Sequence, residues 1–326
     1  MDSVRKELEP TDLEEARVRV SRAARVTPLV PSELLTERCG SPLALKCENL
    51  QVGGAFKIRG ATNFIARLGR RETEAGVITY SSGNHAIAVA IGARRAGIPS
   101  VVVMPESAPR LKVERVRALG AEVHFAGRTS IERKARAEAI AGERGLAIVP
   151  PFDHPWIVAG QASCGLEILE QMPEVGTILV PVGGGGLLSG IALACSQRKP
   201  GVRVVGVEPD GAAKMSASLR AGAPVTLPTV RSIADGLLPS RPGDLTFDLV
   251  RRFVAEVVTV SDEAIRQAAE ALLQTEHLLV EWSGAVGVAA LLSGAARPSG
   301  AATVVVLSGG NVDPLALLGG PGKESS

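Results

Sequence analysis

The sequence has few cysteines, little net charge and no apolar segment at its start, and each shortage excludes a class of protein. The four cysteines are widely separated and form neither a CxxC pair nor a dense disulfide framework, so we expect free thiols in a reducing compartment. A net charge of +2 provides no large basic field, which argues against nucleic acid as a partner. Residues 1–7 are charged and lack an apolar core, so we predict no secretory signal and a cytoplasmic location.

One uncharged stretch, residues 177–195, approaches the length of a membrane span. Pro181 and the four glycines Gly183–Gly186 would break a helix near its centre. A buried strand, a tight turn and the start of a helix explain the stretch better. We therefore expect no membrane association.

Short runs of β-branched residues alternate with helical stretches along most of the chain. Several runs are almost wholly apolar, as in parallel strands that are buried on both faces. This alternation predicts a doubly wound α/β architecture, in which ligands bind beyond the carboxyl ends of the strands. The predicted strands are 76–80, 100–104, 121–125, 177–180, 202–207 and 302–307, and the predicted helices are 86–96, 111–119, 131–143 and 262–276.

Lys57 lies among small and apolar neighbours in the segment 53–61, Gly-Gly-Ala-Phe-Lys-Ile-Arg-Gly-Ala. Burial disfavours an ammonium and lowers its pKa, and a neutral amine can condense with an aldehyde such as that of pyridoxal phosphate. For the lysine by itself, a side chain that snorkels from a helix end is the alternative interpretation. Two distant segments supply the other groups that such a cofactor needs.

The run Gly183–Gly186 follows a predicted strand and opens a predicted helix. Successive glycines let consecutive backbone amides converge on one anion, with the helix N-terminus behind them. The run lacks the lysine of a Walker A loop. It also lacks two features of a dinucleotide-binding turn, a strand early in the chain and an acidic residue that binds the ribose. We interpret it as a phosphate cradle, with a flexible turn as the alternative.

Two further loops follow predicted strands. Residues 81–86, Ser-Ser-Gly-Asn-His-Ala, carry amides and hydroxyls that suit a substrate carboxylate. Asn84 can donate to a phenolate oxygen such as O3′ of the cofactor, and an ordinary helix N-cap is the alternative. Ser308 can place its hydroxyl against the pyridine nitrogen and leave that nitrogen unprotonated, which suits expulsion of a β-substituent.

These segments, in this order, resemble the fold-type II pyridoxal-phosphate enzymes, specifically the threonine/serine dehydratase and serine racemase family. The resemblance covers nearly the whole chain. The matching pieces are residues 46–61, 81–86, 104–106, 151–153, 159–161, 182–190, 234–237, 280–281, 283–285 and 308–313.

The resemblance implies an α/β fold like that of the tryptophan synthase β-subunit. Such a fold has two open, mostly parallel twisted sheets with helices on both faces, and a smaller domain inserted in the larger. We expect a large cofactor-binding domain of residues 1–65 and 152–326 and a small domain of residues 66–151 that carries the carboxylate loop. We also expect no C-terminal regulatory domain, and a homo-oligomer, either a dimer or a tetramer.

The resemblance also implies roles for individual residues. Lys57 corresponds to the lysine that carries the cofactor and removes the Cα proton, and Phe56 to the aromatic residue beside it. Asn84 corresponds to the partner of O3′, and Ser308 to the partner of the pyridine nitrogen. The phosphate cradle is Gly183, Gly184, Gly185, Gly186 and Leu187, and the substrate loop is Ser81, Ser82, Gly83, Asn84 and His85. For His85, structural support of the loop is the alternative.

The implied activity is elimination of water from a β-hydroxy-α-amino acid such as L-threonine or L-serine, which gives a 2-oxo acid and ammonia. One alternative is a serine or amino-acid racemase, since Ser82 falls where racemases keep a catalytic serine. Dehydration of an unusual hydroxy amino acid is another, because Ala55, Ile87 and Trp282 depart from the family pattern. A non-catalytic pyridoxal-phosphate-binding protein is the third.

A last departure concerns metal. Some relatives bind a divalent cation through a glutamate and a later aspartate. Here Glu208 is kept, but Lys214 stands at the second position. A hard cation needs several oxygen ligands, and an ammonium could neutralise Glu208 directly, so we predict no metal.

Overall fold

Two sheets organise the chain in a computed structural model, which describes residues 8–81, 83–108, 110–127, 130–298 and 301–317. The strands are β1 (Leu29–Pro31), β2 (Leu43–Lys46), β3 (Val77–Tyr80), β4 (Ser100–Met104), β5 (Glu122–Phe125), β6 (Ala147–Ile148), β7 (Val175–Pro181), β8 (Arg203–Pro209), β9 (Glu256–Val260) and β10 (Ala302–Val306). The helices are α1 (Pro10–Val20), α2 (Glu33–Cys39), α3 (Lys57–Ile65), α4 (Arg70–Ala75), α5 (Asn84–Ala96), α6 (Arg110–Ala118), α7 (Ser130–Arg144), α8 (Pro155–Gln171), α9 (Gly186–Arg198), α10 (Lys214–Ala221), α11 (Asp244–Phe253), α12 (Asp262–Thr275), α13 (Trp282–Leu292) and α14 (Pro314–Leu317).

The larger sheet has six strands in the order β1-β2-β10-β7-β8-β9. β1 pairs antiparallel with β2, and the remaining pairs are parallel. From β7 the chain continues to β8 and β9 on one side, whereas β10 lies on the other side of β7. This reversal is a topological switch point, where an open α/β sheet leaves a crevice at the carboxyl ends of its strands. The run Gly183–Gly186 follows β7 and Ser308 follows β10, so both border this crevice.

The smaller sheet is parallel throughout, in the order β5-β4-β3-β6. Its strands come from the continuous segment 77–148, which interrupts the strands of the larger sheet in sequence. Here the order reverses between β3 and β6, so the loop that begins at Ser81 and the turn at Pro150 and Pro151 flank a second switch point. The predicted α/β fold with two mostly parallel sheets is confirmed, while the domain bounds stay a prediction.

The strands that the apolar runs predicted are β3, β4, β5, β7, β8 and β10. Every residue of β4 and β10 is buried, as parallel strands covered on both faces should be. The predicted helices correspond to α5, α6, α7 and α12. The hydroxyl of Ser261 accepts the amide of Ala264 at 3.2 Å as the N-cap of α12. The short strands β1, β2, β6 and β9 were not predicted.

The uncharged stretch 177–195 forms most of β7, the glycine turn and most of α9, as predicted. Among the residues that the structure describes, no helix combines the length and the apolar character that crossing a membrane requires. The four cysteines, Cys39, Cys47, Cys164 and Cys195, are free thiols.

A buried cluster of four charges anchors α3 to its neighbours. Arg59 of α3 donates to both oxygens of Glu48, at 2.8 and 2.7 Å, and to both oxygens of Glu167 in α8, at 2.6 and 2.8 Å. Lys46 of β2 also contacts Glu167, at 2.6 Å. Two cations and two carboxylates balance their charges away from water, which such groups require. The cluster therefore holds the helix that begins at Lys57.

Candidate active site

Lys57 is the first residue of α3, and its side chain is partly buried. Its Nζ donates to the carbonyl oxygen of Pro151 at 2.7 Å and lies 5.1 Å from the centre of the Phe56 ring. Desolvation by burial lowers the pKa of Lys57 to about 8. At pH 7 about one amine in ten is then neutral, against fewer than about one in a thousand for an exposed lysine. The lowered pKa is consistent with a reactive amine, and the catalytic role of Lys57 stays a prediction.

The backbone before Lys57 is tied to the loop that follows β10. Ala55 is extended and forms an antiparallel bridge with Gly309. The amide of Phe56 donates to the carbonyl oxygen of Ser308 at 3.1 Å. These contacts place the start of α3 at the switch point of the larger sheet, beside Ser308.

The glycine run forms a turn that other residues could not fill. Gly185 has a φ of +100° and precedes α9. A Cβ on Gly184 would lie 2.3 Å from the ring of Phe152, and one on Gly185 would lie 2.8 Å from the Cβ of Thr246. The amides in the first turn of α9 have no acceptors inside their own helix. The turn therefore presents main-chain donors at the positive end of a helix, an arrangement that suits a phosphate.

The side chain of Asn84 is held from two sides at the start of α5. Its Nδ2 donates to Oε1 of Glu281 at 2.7 Å, and its Oδ1 accepts Nδ2 of Asn311 at 2.8 Å. Asn311 also donates to the carbonyl oxygen of Gly53 at 2.7 Å and accepts from Arg115 at 2.7 Å. Because an amide nitrogen carries two hydrogens, Asn84 keeps one donor for a ligand.

Glu281 is buried beside this network as the N-cap residue of α13. Burial raises the pKa of its carboxyl to about 7, and the charge of Asp235 adds to the effect. The hydrogen bond from Asn84 opposes the shift because it stabilises the ionised form. Burial thus brings the pKa of Glu281 close to neutral pH.

Of the remaining predicted residues, the structure describes Ser81, His85, Leu187 and Ser308. The hydroxyl of Ser81 accepts the amide of Gly83 at 3.3 Å, and the hydroxyl of Ser308 lies 3.5 Å from the carbonyl oxygen of Ser283. Ser82 lies outside the described residues. His85 and Leu187 are buried at the starts of α5 and α9.

The ring of His85 is neutral. Its Nε2 lies 3.1 Å from the carbonyl oxygen of Val149 and must carry the proton, since a carbonyl only accepts. Burial, and then the charge of Lys57, lower the pKa of His85 to about 3. Among the described residues its Nδ1 has no hydrogen-bond partner. The predicted substrate role of His85 stays a prediction.

Direct contacts bring the predicted segments together. Pro151 binds the amine of Lys57, and its neighbour Phe152 packs on Gly184 of the glycine turn. Asn84 reaches the loop after β10 through Glu281, whose amide donates to the carbonyl of Gly309 at 3.0 Å. A cavity of about 340 Å³ adjoins this region, and its lining includes Phe64, Tyr80, Pro151, Phe152, Asp153 and His154.

These residues fit pyridoxal phosphate. The cofactor needs an amine that can be neutral for its aldehyde and main-chain donors for its phosphate, and the crevice offers both within one set of contacts. Fold and site together define a pyridoxal-phosphate enzyme of fold type II. The chain belongs to the family of pyridoxal-phosphate dependent enzymes, whose sequence profile matches residues 20–310.

Known proteins resemble this chain over almost its full length. It is 47% identical over 303 residues to the L-threonine ammonia-lyase of Geobacter sulfurreducens, covering 93% of this chain and 75% of that protein. Its structure resembles maize serine racemase with a TM-score of 0.92 at 38% identity, covering 96% of each chain. It also resembles the T.th. threonine deaminase with a TM-score of 0.89 at 40% identity, covering 94% of this chain and 99% of that one.

Sequence reasoning missed the partners of Asn84. Glu281 and Asn311 stood within matching segments, but neither received a role. Glu281 is 197 residues from Asn84 in sequence and Asn311 is 227 residues away. The one local signal was an acidic residue placed directly before the apolar helix α13.

Proposed function

We propose that this protein eliminates water from a β-hydroxy-α-amino acid, such as L-threonine or L-serine, and yields a 2-oxo acid and ammonia. The observation that carries the proposal is the amine of Lys57, whose pKa of about 8 makes it available as a base near neutral pH. The similarity to a threonine ammonia-lyase and a threonine deaminase supports the same reaction.

Bound pyridoxal phosphate supplies the electron sink that stabilises negative charge at Cα. We assign two roles to Lys57, covalent attachment of the cofactor and acceptance of the Cα proton. Loss of the proton and of the β-hydroxyl removes one water and leaves an enamine product. Hydrolysis of that product takes up one water again and releases ammonia, so the overall reaction is balanced.

The other assignments follow from the donors that each segment presents. The amides of Gly183, Gly184, Gly185, Gly186 and Leu187 would hold the phosphate. The free hydrogen on Nδ2 of Asn84 would meet O3′, and the hydroxyl of Ser308 would meet the pyridine nitrogen. The loop Ser81, Ser82, Gly83, Asn84 and His85 would bind the substrate carboxylate.

The test is Lys57→Ala, assayed for 2-oxo acid release across a panel of hydroxy amino acids. We expect the wild-type protein to act on threonine or serine, and the variant to lose turnover and the visible absorption band of the bound cofactor. Lys199→Ala is the matched control, because Lys199 contacts only carbonyl oxygens of Pro173 and Val175 among the contacts described for its amine. Turnover retained by Lys57→Ala would refute the assignment. Absence of 2-oxo acid across the whole panel with wild-type protein would favour the non-catalytic alternative.

Racemisation is the second candidate, favoured by the resemblance to maize serine racemase at a TM-score of 0.92. It would need a second acid–base group, and Ser82 is the residue that we assign to it. Chiral chromatography of serine recovered after incubation separates the two activities. Appearance of D-serine that is lost in Ser82→Ala would support racemisation, and its absence would leave dehydration alone.

We further propose that the protein is a cytoplasmic homo-oligomer with the domain bounds predicted above. Light scattering on the purified protein measures the oligomeric state. Limited proteolysis tests whether cleavage falls near residues 65 and 151.

A further inference from the structure

Four oxygen atoms surround the amine of Lys214, which is the first residue of α10 and is fully buried. Its Nζ lies 2.9 Å from the carbonyl oxygen of Val182, 3.0 Å from that of Ala212 and 2.9 Å from that of Leu237. Oε1 of Glu208 lies 3.2 Å away. All four oxygens accept, and the carboxylate of Glu208 favours the ammonium form, although burial lowers the pKa of Lys214. Glu208 and Lys214 therefore pair, as the sequence suggested.

The four oxygens form a cation site, and the cation that fills it is the side chain of Lys214. Distances of 2.9 to 3.2 Å exceed the 2.0–2.1 Å of magnesium–oxygen bonds and the 2.3–2.6 Å of calcium–oxygen bonds. Glu208 also accepts the amides of Met215 and Ser216, both at 2.9 Å. One carboxylate is thus already engaged by one ammonium and two amides, and the residues present do not fit a divalent ion.

The ammonium lies directly behind the glycine run. Val182 is the residue before Gly183, and its amide donates to the carbonyl of Val207 at 2.9 Å. Its carbonyl is bound by Lys214. The turn that contains Leu237 packs on the other side, where the carbonyl oxygen of Gly236 lies 3.2 Å from the position that a Cβ on Gly183 would take. The Lys214 ammonium therefore fixes both the residue that leads into the glycine run, Val182, and the turn that packs against Gly183, which contains Leu237.

We propose that the Lys214 ammonium is a built-in monovalent cation that positions Gly183–Gly186 for an anion, and that removing this amine creates a site for a free monovalent cation. The proposal rests on the assignment of the glycine run to the cofactor phosphate. We assign Lys214 as a positioning residue, because its amine binds three main-chain carbonyls and Glu208 and would act through the main chain.

The test is Lys214→Ala, studied in potassium chloride and in tetramethylammonium chloride at equal ionic strength. Absorption titration measures the dissociation constants of pyridoxal phosphate and of pyridoxal, which lacks the phosphate. In tetramethylammonium we expect pyridoxal phosphate to bind about tenfold more weakly or worse, the effect of losing one charge-assisted hydrogen bond. Pyridoxal should change less than about twofold, which is within the scatter of indirect effects. Potassium should restore the affinity for pyridoxal phosphate.

Wild-type protein should respond neither to potassium nor to EDTA in these titrations. Lys199→Ala is the matched control, since it too removes an amine that binds two main-chain carbonyls, and it should respond to neither salt. Equal loss of affinity for the two cofactor forms, or no effect of potassium on Lys214→Ala, would overturn the proposal.

A second variant covers the outcome in which Lys214→Ala does not fold in either salt. Lys214→Gln keeps polar hydrogens near the carbonyls, removes the charge and fills the site. It should weaken pyridoxal phosphate selectively and show no response to potassium, and an unselective loss would again overturn the proposal. Gly184→Ala separates the two hypotheses, because unchanged pyridoxal phosphate affinity there would remove the phosphate assignment itself.

Discussion

Glu281 makes the free energy of unfolding depend on pH, and the size of this effect can be worked out from the structure. Its side chain is 6% exposed, and burial, with Asp235 nearby, raises its pKa from 4.5 to about 7. The folded protein therefore binds this proton more tightly than the unfolded chain does. The contribution of Glu281 to stability is therefore fully present below pH 4.5 and is lost as the pH rises through about 7. At about 1.4 kcal/mol per pKa unit, the full loss is roughly 3 kcal/mol.

Glu281→Gln should remove this loss, because glutamine keeps an acceptor for Asn84 and cannot ionise. Between pH 5 and pH 8 the variant should gain roughly 2–3 kcal/mol relative to wild type. An unfolding entropy of about 2.1 cal/mol/K per residue converts this gain, for 326 residues, into a relative rise in Tm of about 4 °C. Thermal unfolding at several pH values, with constant ionic strength and saturating cofactor, measures it.

The control is Glu263→Gln, which changes a carboxyl on α12 whose side chain is 67% exposed. It separates the effect of burying a carboxyl from the effect of the glutamate-to-glutamine substitution itself. A Glu281→Gln difference that is equal at pH 5 and pH 8 would refute the reasoning.

Three further results are expected. Cofactor-free protein should attach added pyridoxal phosphate at a rate that rises about tenfold per pH unit below pH 8 and then levels off, because only the neutral Lys57 amine reacts. Stopped-flow absorption measures this rate, and a rate that still rises up to pH 10 would contradict the lowered pKa of Lys57. Gly184→Ala brings a methyl to 2.3 Å from the ring of Phe152 and should weaken binding of pyridoxal phosphate about tenfold. Gly183→Ala, whose methyl has its nearest contact at 3.2 Å, should weaken binding less. Equal affinities of the two variants in absorption titrations would count against a steric clash at Gly184. Arg59→Met leaves the buried carboxylate of Glu48 without its ion-pair partner and should lower the unfolding free energy by about 3–5 kcal/mol. Arg70→Met at an exposed ion pair should cost less than about 1 kcal/mol, and similar urea midpoints for the two variants would contradict this difference.

The main elements and much of the site were predictable from local sequence. The apolar runs that became β4 and β10 are buried along their whole length, and the signal is strong because both faces of a central parallel strand need apolar side chains. Gly183–Gly186 was predicted as an anion-binding turn because successive glycines let their backbone amides converge. In the structure Gly185 adopts a positive φ that other residues disfavour. The strands β1 and β6 have three and two residues, too few for a period-2 pattern to appear.

The sequence by itself determined six of the ten described strands and the glycine turn, and it singled out the lysine that we propose to react, since these predictions depend on neighbouring residues. Only the tertiary structure decided the charge state of that lysine, the partners of Asn84 and the oxygens around Lys214. A pKa depends on how completely distant segments exclude water and on which charges they bring close. Glu281 and Asn84 are 197 residues apart, and no local pattern encodes their contact, because it forms only when the two sheets pack at their carboxyl ends.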